Sequence, residues 1–220
     1  MTMFGKFITL EGGEGVGKTT QLKIVQSILE NAGIQVVMTR EPGGTPRAER
    51  IRELLLSQDA ESMPPTCELL LMFAARSTHL HNVIIPALQR GEWVVCDRFT
   101  DASYAYQGYG RGMSLDHIQQ LETLVQHELQ PDMTLLLDAP VALGMQRAHQ
   151  RHSSGQQEKD RFEMEQLEFF ERVRAGYHAR AKVYINRFRI IDASQPIENV
   201  SNDIKQVMTQ FIGSSRVGHE

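Results

Sequence analysis

Apolar positions along the chain fall into two patterns. Short β-branched runs stop at acidic, basic or glycine-rich ends: residues 6–11 (Lys-Phe-Ile-Thr-Leu-Glu), 36–39, 93–97, 133–138 and 189–192. Their length and flanking breakers predict buried strands. Between them, apolar residues recur every three or four positions and predict helices. The first helix runs over 18–32, with Leu22, Val25, Ile28 and Leu29 on one face and Gly33 as its stop. Pro46, behind Thr45 as cap, opens a helix reaching about Ser57. Pro64-Pro65-Thr66 starts a longer one that extends to Arg90 and ends at Gly91. A loop holding Gly108, Gly110 and Gly112 leads to a helix from Ser114, and 141–151 reads as helical. Leu167, Phe170, Val173, Tyr177, Ala181 and Tyr184 mark a long amphipathic helix, and 196–212 a last one, with a frayed tail from Gly213.

Strands that alternate with helices imply an α/β fold: a five-stranded parallel sheet with helices on both faces. No repeat or linker divides it, so residues 1–213 are expected to form one domain. Ligands of such folds bind beyond the carboxyl ends of the strands, where Glu11, Arg40, Asp97 and Asp138 fall.

Composition narrows the classes. In 220 residues, 27 acids exceed 23 bases, giving a formal charge of −4. A general nucleic-acid-binding face is not expected from that balance. No apolar run is long enough to span a bilayer. Cys67 and Cys96 offer no disulfide framework, and a reducing, cytoplasmic location is expected.

Gly12-Gly13-Glu14-Gly15-Val16-Gly17-Lys18-Thr19 fits G-x-x-x-x-G-K-[ST] and lies directly between a strand and a helix. Its glycines let consecutive N–H groups surround phosphate oxygens, and the helix start aims its positive end at them. Lys18 is the candidate for the β/γ-phosphates and Thr19 for a Mg²⁺ ligand. The loop alone specifies a nucleoside triphosphate and no acceptor.

Further candidates follow it. Asp97 can reach the same Mg²⁺ from a neighbouring strand, and Arg98 offers a fork for phosphate; a structural ion pair at a strand end is the alternative. Phe73 and Arg76 share one helix face. They suit a nucleobase, or they are a core phenylalanine beside a solvated arginine. Tyr104, Tyr106, Gln107 and Tyr109 crowd the glycine-flanked loop. Arg147, Arg151, Lys159 and Arg161 surround the polar stretch 152–157, as a solvated helix end or as a lid that neutralises a transferred group. His79 and His81, two apart on a helix, face different ways and form no metal pair.

A set of longer motifs resembles the bacterial thymidylate kinases. These are Phe7-Ile8-Thr9-Leu10-Glu11-Gly12, Thr39-Arg40-Glu41-Pro42-Gly43-Gly44-Thr45, Phe73-Ala74-Ala75-Arg76, Asp97-Arg98-Phe99, Ala105-Tyr106-Gln107-Gly108 and Asp160-Arg161-Phe162-Glu163, spread over residues 4–192. The resemblance implies a fold like that of the P-loop nucleoside monophosphate kinases, with a mobile lid at about 148–161, and transfer of the ATP γ-phosphate to dTMP. It implies that Phe73 stacks on thymine, Arg76 donates to the base O4, and Arg98, with Arg40 second, holds the dTMP phosphate. Glu14 lies near the 3′-hydroxyl, Tyr106 crowds the 2′ position, and Gln107 and Ser103 line the base pocket. The family has a branch with an arginine inside the phosphate loop; Glu14-Gly15-Val16 carries no base, so the chain is similar to the branch that supplies it from the lid. Arg151, at the helix-to-loop junction, is the expected one, with Lys18 and Arg98 as the other catalytic residues. Where the family often has serine, this chain has Ala102, with Ser103 next, and its lid is longer than usual. A homodimer is also implied. The rivals are a deoxynucleoside kinase with Glu11 as base, and a P-loop regulatory protein that hydrolyses nucleotide slowly.

Overall fold

Five parallel strands form one sheet in the order β2-β3-β1-β4-β5: β1 (Phe7–Glu11), β2 (Val36–Arg40), β3 (Trp93–Asp97), β4 (Met133–Asp138) and β5 (Phe188–Asp192). The computed structural model describes residues 5–58, 61–153, 161, 162 and 164–217, with 151–153, 216 and 217 described by backbone alone. The central position of β1 places Leu10 beside Asp97 of β3 and beside Leu135 of β4. The expected phosphate loop therefore starts between two neighbouring strand ends.

Side-chain alternation divides the core. Ile8, Leu10, Val95, Leu135 and Leu137 face α1 (Lys18–Asn31) and α9 (Ile197–Val217) through Val25, Leu29, Ile204 and Met208. Phe7, Val94 and Cys96 face the opposite way. There they meet the rod made by α3 (Pro65–His79), a π-helical turn (Leu80–Ile84) and α4 (Ile85–Gln89). Pro86 lacks an N–H for the helix ladder, and a widened turn just before it accommodates that loss. Beside the rod lies α2 (Pro46–Leu56), capped by Thr45 Oγ1 accepting from the Ala48 N–H at 3.1 Å, while α8 (Leu167–Val183) packs beside β5.

Two expectations fail. Residues 104–110 are not a loop: α5 (Thr100–Ser103) runs on as a π-helical stretch, Tyr104–Gly110, ahead of α6 (Leu115–Gln126). Its glycines are contact points. A Cβ on Gly110 would lie 2.6 Å from Phe169, and one on Gly176 of α8 would lie 2.9 Å from Ala105. The tail does not fray at Gly213, because α9 continues to Val217. A glycine in an open helical position costs only about 1 kcal/mol, which packing upstream offsets.

Candidate functional site

Between β1 and α1 the chain turns through Gly12 (φ 141°), Gly15 (φ 69°) and Gly17 (φ 92°). At Gly12 and Gly15 space as well as φ demands glycine. A Cβ on Gly12 would lie 2.4 Å from the Leu137 carbonyl oxygen, and one on Gly15 only 1.9 Å from that of Gly144 in α7 (Val141–Ser153). Helix α1 opens at Lys18 with no side-chain cap, so its first N–H groups remain available to an anion. Lys18 Nζ donates to the carbonyls of Gly12 (3.1 Å) and Gly13 (2.8 Å). Burial, helped by nearby Arg98, brings its pKa down to about 8.

Arg98, just past β3, adopts φ 67°, an uncommon conformation for a non-glycine residue. The turn sends its guanidinium over the phosphate loop. Nη2 donates to Glu14 Oε1 at 2.6 Å, and Nη1 to the Gly12 carbonyl at 2.6 Å and to Tyr177 Oη at 3.1 Å. Tyr106 Oη donates to the same Glu14 oxygen at 3.0 Å, and the Arg98 guanidinium lies 4.9 Å from the Tyr106 ring centre. Asp97 Oδ1 is buried with no hydrogen-bond partner, and the carboxylate that Arg98 pairs with is that of Glu14. Asp97 and exposed Thr19 line one cavity. Among the described residues, no cluster of three His, Cys, Asp or Glu could hold a metal. One carboxylate oxygen and one hydroxyl do suit a hard cation that draws its other ligands from phosphate and water.

A cavity of about 680 Å³ runs from the phosphate loop to Arg76, Ser103, Tyr106 and Gln107. Arg76 is 2% exposed, not solvated. Its Nε donates to Glu41 Oε2 at 2.7 Å and its Nη2 to Ser103 Oγ at 3.1 Å, while Nη1 is buried without a partner. Its guanidinium lies 4.6 Å from the ring centre of Phe73 and 5.2 Å from that of Phe99. Gln107 Nε2 donates to buried Glu68 at 2.8 Å.

Several expected residues lie elsewhere. Arg40 does not reach the cavity: its Nη2 donates to Glu49 at 2.8 Å on the exposed side of the loop, and Arg52 of α2 lines the cavity instead. Phe73 is not on the cavity wall, because Leu69, Tyr104 and Ile118 enclose its ring. Arg161 stands in a turn before α8 and does not line the cavity; its Nη2 donates to Glu68 at 2.6 Å. Arg147 lines the cavity and donates to the carbonyls of Ala193 (2.7 Å) and Ser194 (3.3 Å). The Arg151 side chain, Lys159, Asp160 and Glu163 lie outside the described residues. Sequence reasoning missed Glu41 as the partner of Arg76. Its signal was an acid inside the Arg-Glu-Pro-Gly-Gly-Thr motif, and nothing local showed that it would be buried.

The sheet order, the glycine-rich turn on the central strand and the cavity at the carboxyl ends define a P-loop phosphotransferase. The family model described as Thymidylate kinase matches residues 10–204, and the chain belongs to that family. The thymidylate kinase of Teredinibacter turnerae is 53% identical over 210 residues, covering 96% of this chain and 100% of that one. That of Methylococcus capsulatus is 57% identical over 200 residues, covering 91% and 93%. The crystal structure of thymidylate kinase from Ehrlichia chaffeensis matches with a TM-score of 0.73 at 34% identity, covering 93% of this chain and 98% of that one. No helix among the described residues is long and apolar enough to cross a membrane.

Proposed function

We propose that the chain transfers the γ-phosphate of ATP to dTMP, giving dTDP and ADP. One observation carries the reading beyond family membership: a single cavity joins the phosphate loop to a donor-rich pocket around Arg76. A donor-only guanidinium with one unpartnered nitrogen suits a base carbonyl and opposes an amino group at that position. Phe73 acts through Arg76, supporting its guanidinium from one face, rather than by stacking on the base.

Glu14, Arg98 and Tyr106 form the wall where the sugar and acceptor phosphate would pass, with Arg52 a further base beside it. A phosphate oxygen of dTMP is already anionic, so the new O–P bond needs no protein base. The β,γ-bridging O–P bond breaks in line, and the residues supply position and charge. Lys18 covers the β/γ oxygens, while Thr19 and Asp97 would hold Mg²⁺, whose charge offsets that of the phosphates. Arg151, at the end of α7, is the proposed lid cation; Arg151→Ala is expected to lower kcat with little change in dTMP affinity, read by steady-state kinetics.

The deoxynucleoside kinase reading needs a base at the cavity. Glu11 is fully buried, and its oxygens accept from the Phe99 N–H (2.7 Å) and Tyr177 Oη (2.9 Å). Two free cysteines suit a cytoplasmic location. A homodimer is proposed from Leu70 of α3 and Leu124 of α6, which are 53% and 70% exposed, with solution mass as its test. The decisive experiment measures ADP release across nucleoside monophosphates and thymidine. The reading requires dTMP to lead; a preference for thymidine, or acceptor-independent ADP release, overturns it.

A further inference from the structure

The hydrogen bonds that fix Arg76 extend beyond the cavity. Glu41 follows β2, and its side chain is 5% exposed. One of its oxygens accepts from Arg76 Nε, and the other faces His79 Nδ1 at 3.0 Å. A carboxylate only accepts, so Nδ1 carries the proton and donates. On the far side of the ring, His79 Nε2 and Thr39 Oγ1 of β2 are 2.6 Å apart. His79 itself is fully buried and does not line the cavity. Gly44 (φ 83°) closes over this pair: a Cβ there would lie 2.5 Å from the imidazole and 2.7 Å from Thr39 Oγ1.

The Arg76 guanidinium is thus constrained in every direction but one. Phe73 and Phe99 limit its tilt, and Ser103 and Glu41 fix its rotation in plane. Ser103 is a single hydroxyl that can turn. Glu41 is the rigid constraint only while both its oxygens are engaged, since a buried carboxylate with one free oxygen rotates toward any other donor.

We propose that His79 is a specificity-determining positioning residue: through Glu41 it orients Arg76, and so sets the preference for a pyrimidine with a carbonyl over one with an amino group at the same ring position. This rests on the dTMP reading above. Once Glu41 is free to turn, Arg76 Nη1 no longer points one way, and its hydrogen bond to the carbonyl and its opposition to the amino group weaken together.

The test is the ratio of dissociation constants for dCMP and dTMP, by titration calorimetry on the full chain. His79→Leu removes both ring hydrogen bonds and is expected to narrow the ratio by at least about tenfold. His79→Asn keeps a donor where Nδ1 stands and should stay within about threefold of the wild type. Thr39→Val removes only the outer bond and should narrow the ratio by about threefold. A ratio unchanged in His79→Leu and Thr39→Val, with only the melting temperature lowered, overturns the proposal. So does an asparagine variant that falls as far as the leucine one. Should His79→Leu not fold, Thr39→Val decides alone. A wild type that binds dCMP as well as dTMP overturns the dTMP reading, and this inference with it.

Discussion

Lys18 shows what a buried loop does to one residue. Desolvation comes first and the Arg98 charge second, and together they bring its pKa down to about 8 from the ordinary 10.5. The ammonium is therefore present below about pH 8 in the free enzyme and is lost as pH rises through that value. Bound phosphates favour the charged form and push its pKa back up. The expected outcome is a fall in kcat/KM for ATP above about pH 8, while kcat stays flat to higher pH. Parallel profiles would assign the break to another group. Tyr106 makes a second case. Its hydroxyl shares Glu14 Oε1 with Arg98, and its ring meets Phe162, Phe169 and Tyr177 edge-on. In the proposed dTMP site such a ring does not yield to a 2′-hydroxyl. Tyr106→Phe is expected to keep most of the discrimination between dTMP and its ribonucleotide, and Tyr106→Ala to lose about tenfold or more of the kcat/KM ratio.

At the scale of elements, α7 is set directly on the phosphate loop. A Cβ on Gly144 would lie 2.3 Å from the Glu14 carbonyl oxygen, and Gly15 faces the Gly144 carbonyl even more closely. Two bare backbones in contact couple the start of α7 to the glycine-rich loop at 12–17. Gly144→Ala must push them apart by about an ångström, and a displacement of that size at reacting groups costs up to about 10²-fold in rate. Steady-state kinetics should show kcat falling about 10- to 100-fold with unchanged far-ultraviolet dichroism. Gly213→Ala is the control. Nothing lies within 4 Å of its Cβ position, so kcat should not move and α9 should gain about 0.5–1 kcal/mol.

For the molecule as a whole, one face of the sheet carries polar groups that tie distant segments together. Asp101 is 1% exposed; its Oδ1 accepts from Arg180 Nε (2.8 Å) and Arg187 Nη2 (2.9 Å), and its Oδ2 from Arg187 Nη1 (2.7 Å). Arg187 also donates to Thr134, whose hydroxyl lies 2.9 Å from that of Thr9. This chain of contacts joins α5, α8, β4 and β1. Arg180 Nη2 and Arg187 Nε are already buried without partners. Asp101→Asn would leave two buried cations uncompensated, at a cost of about 3–5 kcal/mol. At roughly 2–4 °C per kcal/mol for a domain of this size, thermal denaturation should show a fall of about 10 °C. A shift under about 3 °C would mean that the guanidinium groups find other partners.

Local chemistry made most of the fold legible. A phosphate loop needs glycines at fixed spacing, a strand needs a short apolar run, and Pro46 behind Thr45 starts a helix wherever it occurs. These are properties of neighbours in sequence, so β1 through β5, α1, α2 and the loop at 12–19 follow from the order of residues alone. Residues 104–110 read as a loop in sequence yet fold as a helical stretch, because their glycines serve contacts with α6 and α8, which no local rule contains. The same holds for the site. Lys18, Thr19, Asp97 and Arg98 lie at strand and helix ends, where the chain direction itself brings them together. Arg40 and Arg52, twelve positions apart around one loop and helix, could be told apart only by which one Glu49 draws outward. The burial of Glu41 and its place between Arg76 and His79 belong to tertiary structure entirely. A buried carboxyl group needs hydrogen-bond partners from separate elements to converge on it, and their convergence depends on how β2 and α3 pack, not on any stretch of sequence.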